Sequence, residues 1–533
     1  VLLTEPGIPA VNVVNWMLAF LPIAVLLILL VGFNWSGARA GAAAWLTAFG
    51  VAIFGFGGGA SLLAYSQVKS ALLSLWVLYI IWAALLLFHI VDEAGSIKTI
   101  GRGITRITSN RVMQLILLAW IFTTFLQGIA GYGVPVAVVA PLMVGMGFSP
   151  VAAVVTTSVG HSWSVTFGSL SASFLTMAGV TGIATSELGF ESGLLLGIAC
   201  FLCGFGAVWA YGGWSAVKFG AVPLLIIGTV MAGTQFGMVA IGTYPLSAFT
   251  AGCVGLVGIT ALARMPVFRK AEAIGGEELS EPPEPVVPIR EVLLAFSAYI
   301  VLVIVVLSAS FIGPLDRLLN AVEIKLPIPE TSTSFGWINE ATASFRTISP
   351  FGDAGALLIY ACIIGYVIFR YTGKLQAGAY RKVATRTINA ALGSSLGIIT
   401  MVGMALIMMD SGMTYMLARG MVDVAGPVFP FMSPFIGVLG SFMTGRNTNS
   451  NILFSALQRD SAVLLGLPPA VLLAAQTTGG ALGSMIAPAK IIVGCSTVGL
   501  AGKEGPVVKA GVRYGLIITA VIGVIVLVWS WLV

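Results

Sequence analysis

Apolar residues recur along this chain in long unbroken runs, with neither the alternation of a half-buried strand nor the single stripe of a soluble helix. The first is VVNWMLAFLPIAVLLILLVGF, Val13 to Phe33, and Ala40 to Ala60 and Val68 to Val91 follow it. About 14 such runs can be cut from the whole chain, each near the ~20 residues a helix needs to cross hydrocarbon. Beyond an interrupted unit at 112–180 come Gly189 to Trp214, Ala221 to Ile241 and Tyr244 to Ala263. The pattern then lapses over 265–290, whose EELSEPPEPVVP core is too polar and Pro-rich to bury a face and reads as a linker. The second half offers Glu291 to Ile312, a mixed loop with short helices to Phe351, Asp353 to Arg370, Arg386 to Asp410, a second interrupted unit at 427–498, and Ala510 to Val533.

Composition sharpens that picture. Of 533 residues 58% are hydrophobic and 9% charged, with mean hydropathy +1.02. So few charges cannot coat a water-soluble globule of this length, whereas a bundle facing lipid needs few. The protein is therefore read as multi-pass in a lipid bilayer. Its net charge of +6 needs no nucleic acid, because cations cluster in short loops, as they do on the cytoplasmic side of polytopic proteins. Lys98, Arg102, Arg106 and Arg111 form one cluster, Arg264, Arg269 and Lys270 another, and Arg370, Lys374, Arg381, Lys382 and Arg386 a third; Lys503, Lys509 and Arg513 complete the set. No metal-ligand cluster, nucleophile elbow or phosphate loop is present, so no enzyme, metal or cofactor is expected. Cys200 and Cys203 lie at C-x-x-C spacing inside an apolar helix, where packing is the expected role. GFGGGA near Gly55 is likewise expected to be part of an apolar helix that uses glycine for close packing.

An internal repeat is legible. Gly147, Pro150 and Gly160 in GFSPVAAVVTTSVG return as Gly466, Pro469 and Gly479 in GLPPAVLLAAQTTG, displaced by 319 positions. The same displacement carries Val68 to Val91 onto the run ending near Asp410, and Gly189 to Trp214 onto the last helix. Loop charge makes the first unit start inside and end outside and the second do the reverse, so the repeats are antiparallel. The expected fold is an all-α polytopic membrane protein with two inverted-topology repeats and discontinuous or re-entrant helices. Residues 1–214 form the first repeat, 215–264 an inserted helix pair, 265–290 a cytoplasmic linker and 291–533 the second repeat.

Inverted repeats with broken helices place a substrate site near the midplane where the breaks meet. Broken helices expose N–H groups at a positive dipole end, which suits an anion. In the first unit the candidates are Gly131, Tyr132 and Gly133, with His161, Ser162, Trp163 and Ser164 beyond them. In the second they are Thr444, Arg446, Asn447, Thr448, Asn449 and Asn451, with Gln476, Thr477 and Thr478. So many polar residues at bilayer depth are costly unless they face a cavity. Arg446 reads as a two-pronged anion clamp or as an interfacial arginine at a helix end. His161, the only histidine in either unit, is a proton carrier or a packed neutral ring. Trp163 stacks on substrate or fills core, and His89 is interfacial structure. Asp410, closing MVGMALIMMD, is a second proton-coupling candidate or a solvated helix end.

The run Phe125-Leu126-Gln127-Gly128-Ile129-Ala130-Gly131-Tyr132-Gly133-Val134-Pro135-Val136-Ala137, with PLMVGMGFSP and TFGSL after it, resembles the signature of the L-lactate permease family. MTGRNTNSNILFSALQ, AAQTTGGALGSMIAP and STVGLAGKE resemble that family's second signature. The resemblance implies an elevator-like inner-membrane permease, a secondary active transporter that takes up small 2-hydroxy monocarboxylates such as L-lactate or glycolate by proton symport. It also brings Gln127 into the site, at a position where the family usually carries Glu. Arg446 and Asn447 stand where the family usually has Ser-Asp, and His161 to Ser164 where it reads Asn-Thr-Ala-Pro. The site is thus about three charges more positive than that pattern implies. A more anionic substrate, a sulfonate or dicarboxylate with sodium as coupling ion, is one alternative, and an uncoupled anion channel is another. A homodimer is an allowed assembly.

Overall fold

The computed structural model describes residues 7–33, 35–104, 107–131, 133–269 and 288–532. Tyr132, Arg106, Lys270 and most of the polar linker lie outside the described residues. Those described are overwhelmingly helical, and twelve helical stretches are long and apolar enough to span a membrane. The sequence suggested about 14 because it split what folds as one bent rod and took the short pieces inside the interrupted units as near-spanning.

The chain opens with α1 (Val13–Leu27), α2 (Gly37–Phe56), α3 (Ala60–Glu93) and α4 (Ser96–Ile104). The first interrupted unit is α5 (Arg111–Leu115), joined through wider turns at Ile116–Phe122 to α6 (Thr123–Ile129), then α7 (Val134–Gly145), α8 (Pro150–His161) and α9 (Gly168–Thr181). The rod α10 (Thr185–Ala240) leaves helical geometry at Gly212 and Gly213, so Gly189 to Trp214 and Ala221 to Ile241 are its two arms. Next come α11 (Ser247–Ala263), α12 (Pro266–Arg269), α13 (Ile289–Phe311) and α14 (Gly313–Leu319). A two-stranded hairpin, β1 (Thr331–Ser332) with β2 (Ile338–Asn339), occupies the mixed loop. Beyond it stand α15 (Ala354–Tyr371), α16 (Ala379–Asp410) and α17 (Met413–Ala425), followed by the second interrupted unit of α18 (Phe429–Thr444), α19 (Asn447–Leu464), α20 (Pro469–Gly483) and α21 (Pro488–Thr497). The last helix is α22 (Gly505–Ser530).

Burial is arranged for lipid. Leu46 and Phe54 of α2, Val257 of α11, Ile304 of α13 and Ile363 of α15 are exposed, while Thr156, Ser162, Asn451, Gln476 and Thr477 are buried. Two spans have their apolar windows buried on every side, Arg111–Ile129 and Pro469–Thr497. GFGGGA forms the turn between α2 and α3 instead of part of a helix: α2 ends at Phe56, Gly57 takes φ +66° and the Gly58 amide donates to the Ala52 carbonyl at 2.7 Å. Cys200 and Cys203 are buried in α10 as free thiols.

Helices α3 and α16 run antiparallel and are tied at both ends. At one end Arg386 pairs with Asp92 at 2.7 Å and with Glu93 at 3.4 Å, Lys382 pairs with Glu93 at 2.8 Å, and His89 Nδ1 lies 3.0 Å from Thr387 Oγ1. At the other, Lys69 Nζ lies 3.0 Å from Asp410 Oδ1 and 3.1 Å from Oδ2, and Ser66 donates to Oδ2 at 2.7 Å. At 1.5 Å rise per residue the two ties stand about 35 Å apart, near the thickness of a hydrocarbon core. Asp410 is therefore buried and ion-paired, not a solvated helix end. The hairpin loop seals it from above, Asn339 Nδ2 donating to the Asp410 carbonyl at 2.9 Å.

Close packing in both interrupted units depends on absent side chains. A Cβ at Gly479 would overlap the Pro434 carbonyl of α18, and one at Gly160 would overlap the Ala119 carbonyl. Both obstacles are backbone, which cannot swing aside. Gly479→Ala is expected to cost about 1–3 kcal/mol by overpacking, read as a fall of several degrees in the unfolding midpoint of detergent-solubilised protein. Gly237→Ala in α10, with open space around the new carbon, is the control that leaves the midpoint in place.

Candidate functional site

The first break follows from local chemistry. Helix α6 stops at Ala130, whose backbone is extended, and Gly133 then takes φ +87°, a conformation favouring glycine, before Pro135 restarts α7. The freed Gly131 amide donates to Ser169 Oγ at 2.8 Å. Ser169 is one of three consecutive non-glycine residues held left-handed, with Leu170 and Ser171, at φ 47°, 57° and 63°. Such strain persists only where its surroundings enforce it. Here Ser171 Oγ is held by the Tyr244 carbonyl at 2.5 Å, and Gln127 packs across Gly131 and Gly168.

The second break is shorter than the polar run suggested. Gly445 at φ +77° ends α18 and Arg446 is extended, but Asn447, Thr448, Asn449 and Asn451 already stand on the first turns of α19. The first N–H groups of any helix lack intrahelical partners and carry its positive end. Helix α20 ends at Gly483, and Ala487 leads into α21.

The two units meet through a buried hydrogen-bonded seam. Asn447 Nδ2 donates to Thr166 Oγ1 at 3.0 Å and to the Thr477 carbonyl at 3.2 Å, while Thr166 Oγ1 donates to that same carbonyl at 3.0 Å. Asn451 Nδ2 reaches the Ser173 carbonyl at 3.0 Å and Thr477 Oγ1 at 2.9 Å, and Ser173 Oγ lies 2.9 Å from Thr448 Oγ1. Both breaks also rest on the first turn of α21. A side-chain carbon at Gly133 would stand 3.9 Å from Lys490 Cγ, and one at Gly445 would stand 3.6 Å from Ala489 Cβ.

Several candidates have their donors committed within the protein. Ser162 donates to the Ser158 carbonyl, Ser164 to the His161 carbonyl and Thr444 to the Gly440 carbonyl. Trp163 is fully buried with Nε1 on Thr124 Oγ1 at 3.1 Å, and Gln476 is tied to Ser450 and Gln458. Others present free valence. Gln127 Oε1, Asn447 Oδ1, Asn449 Oδ1, Asn451 Oδ1, Thr478 Oγ1 and His161 Nε2 are buried without a hydrogen-bond partner among the described residues. The opposite nitrogen of His161, Nδ1, lies 2.6 Å from the Thr157 carbonyl, so it carries the proton and Nε2 is left as the acceptor. Asp410 directs its side-chain bonds to α3 and none to either break.

Sequence reasoning missed Thr166, Ser169 and Ser173, which supply the first unit's side of the seam and of its break. It also missed Lys490, buried on the first turn of α21 beside both breaks. The signal was available in SMIAPAK, an ionisable residue in an otherwise apolar span. No group of His, Cys, Asp and Glu among the described residues could hold a metal ion.

A helical bundle with apolar side chains exposed on its outside and polar ones converging on interrupted helices in its interior is a polytopic membrane protein. The sequence profile of the L-lactate permease family matches residues 15–533, and the chain belongs to that family. It is 27% identical to glycolate permease GlcA of Escherichia coli (strain K12), covering 97% of this chain and 95% of that one. It is 29% identical to the L-lactate permease of the same strain, covering 97% and 96%. Among solved structures it aligns with the Alcanivorax borkumensis YdaH transporter at 16% identity and a TM-score of 0.48, covering 88% of this chain and 87% of that one. The protein is thus a multi-pass transport protein of the inner membrane.

Proposed function

We propose that this chain is a secondary active transporter for small organic anions, of the 2-hydroxy monocarboxylate kind exemplified by L-lactate and glycolate, moved in symport with a proton. The observation that carries the reading is the meeting of both breaks on the first turn of α21, beside the buried seam of Asn447, Asn451, Thr166 and Thr477. Cations and helix N-termini there suit a carboxylate, and unpartnered Asn447 and Asn449 oxygens suit a hydroxyl donor. The names of the relatives support the same substrate class.

The architecture we propose is two inverted repeats, 1–214 and 291–533, around the inserted pair 215–264 and the linker 265–290. Gly160 and Gly479, related by the displacement of 319, each lack a side chain where a neighbouring carbonyl lies. The double-ended tie of α3 to α16 suits a fixed scaffold, against which the two interrupted units would slide in an elevator-like step, and a homodimer would assemble through scaffold helices. In this reading Gln127, Gly131, Gly133, His161, Arg446, Asn447, Thr448, Asn449 and Thr478 face the substrate. Ser162, Trp163, Ser164, Thr444, Asn451, Gln476 and Thr477 hold the breaks in place.

His161 Nε2 is the acceptor available for the coupled proton. Proteoliposomes of the purified chain under an inwardly directed proton gradient are expected to accumulate L-lactate or glycolate, and His161→Gln to reduce accumulation to the level seen without a gradient. Unchanged gradient-driven accumulation by the variant overturns the histidine role. Conductance without concentrative uptake replaces the transporter by a channel.

A further inference from the structure

Lys490 brings a further charged group to the meeting point of the breaks. It is buried to 8% exposure on the first turn of α21, and its stem lies against Gly133 of the first break while the neighbouring Ala489 lies against Gly445 of the second. No ion pair joins Lys490 to a carboxylate among the described residues. Asp460 is the only acid in either interrupted unit, and it is engaged by Arg459 at 2.8 Å. Two basic residues, Lys490 next to Ala489 and Arg446 next to Gly445, thus flank the place where the breaks meet.

A lysine withdrawn from water keeps its proton only at high cost unless an anion lies beside it, so an anionic group brought to Lys490 favours the ammonium form. A monocarboxylate engaged by Arg446 leaves Lys490 unmatched. A substrate with a second anionic group matches both, and its desolvation is offset at each end by a charge-assisted hydrogen bond. A 2-hydroxyl between the two ends would donate to the buried Asn447 or Asn449 oxygen, which lacks a partner among the described residues. We propose that Lys490 is a second anion-binding residue of this site, and that with Arg446 it makes the chain selective for a 2-hydroxy carboxylate bearing a further carboxylate or sulfonate. The inference rests on the transporter reading above and replaces its monocarboxylate by a 2-hydroxy dianion.

The experiment measures binding of L-lactate, L-malate and 3-sulfolactate to the purified full-length chain by isothermal titration, with uptake into proteoliposomes as a second readout. At least one of the two dianions is expected to bind tenfold or more tightly than L-lactate, malate marking a carboxylate as the second group and sulfolactate a sulfonate. Lys490→Gln is expected to bring the dianion-to-lactate ratio within threefold, and Lys490→Arg, which keeps the charge, to preserve the preference. Equal or weaker binding of both dianions by the unmodified chain overturns the proposal, as does a ratio that survives in Lys490→Gln. Should the glutamine variant fail to fold, the unmodified chain and Lys490→Arg decide the matter between them. Lactate uptake with no dianion preference sinks this inference and leaves the transporter reading standing; binding and uptake of none of the three sinks both.

Discussion

Asp410→Asn is expected to destabilise the folded protein by about 3–5 kcal/mol, the usual consequence of removing one partner from a buried ion pair. Lys69 and Asp410 have side-chain exposures of 8% and 3%, and the ammonium spans both carboxylate oxygens. Once the carboxylate is gone, Lys69 remains buried with only neutral oxygens beside it. Lys69→Met combined with Asp410→Leu removes both charges together and is expected to recover most of the loss, because well-packed apolar residues replace a buried pair at little cost. The other end of the same two helices behaves differently. Arg386 is 39% exposed and Asp92 28%, so Arg386→Gln is expected to cost no more than about 1 kcal/mol. Unfolding midpoints of the four proteins in one detergent check the order. The double variant also separates two roles for Asp410. If the residue fixes α3 against α16, the stable double variant accumulates substrate under a proton gradient as the unmodified chain does, and this is the outcome expected from bonds that all run to α3. A stable double variant that binds substrate yet no longer accumulates it would assign the proton to Asp410.

The apolar runs and both breaks were legible because their causes are local: length, glycine at left-handed positions, and proline at helix starts. Gly131 to Gly133 and Gly445 could be picked out as interruptions for that reason. What could not be read depends on which helix faces which. The Lys69–Asp410 pair joins positions 341 apart, and Asp410 resembles a solvated terminus because its helix does end there. Its burial comes from a loop that folds back through Asn339, and no periodicity encodes that. Likewise Ser169, Leu170 and Ser171 contain no glycine to announce a left-handed turn; the conformation is held by Gly131 and Tyr244, distant in sequence. Hydropathy placed Ser162, Trp163 and Gln476 at bilayer depth, and all three are buried in the protein. It could not say that their donors are already taken by Ser158, Thr124 and Ser450.

Arg446→Gln is expected to lower substrate affinity and initial uptake by 100-fold or more, with the unfolding midpoint within a few degrees of the unmodified chain. The side chain projects from an extended residue lodged between the left-handed Gly445 and the first turn of α19, so its backbone is held on both sides. The Arg446 carbonyl accepts from the Ser450 amide at 3.1 Å and from Thr444 Oγ1 at 3.2 Å, and neither bond involves the guanidinium. Substitution of the side chain therefore keeps these two backbone bonds at the helix start. What is lost is a planar, permanently charged fork that meets both oxygens of a carboxylate at once, in a site where the helix N-terminus adds only partial charge. Arg446→Lys keeps the charge and loses the fork, and is expected to retain an intermediate affinity, about tenfold below the unmodified chain. An affinity in Arg446→Gln within threefold of the unmodified chain would remove the clamp. It would leave the α19 N-terminus and Lys490 to hold the anion, and the Lys490 variants would then show the larger loss of the two. If both single variants bind normally, the meeting point of the breaks is not where the anion sits.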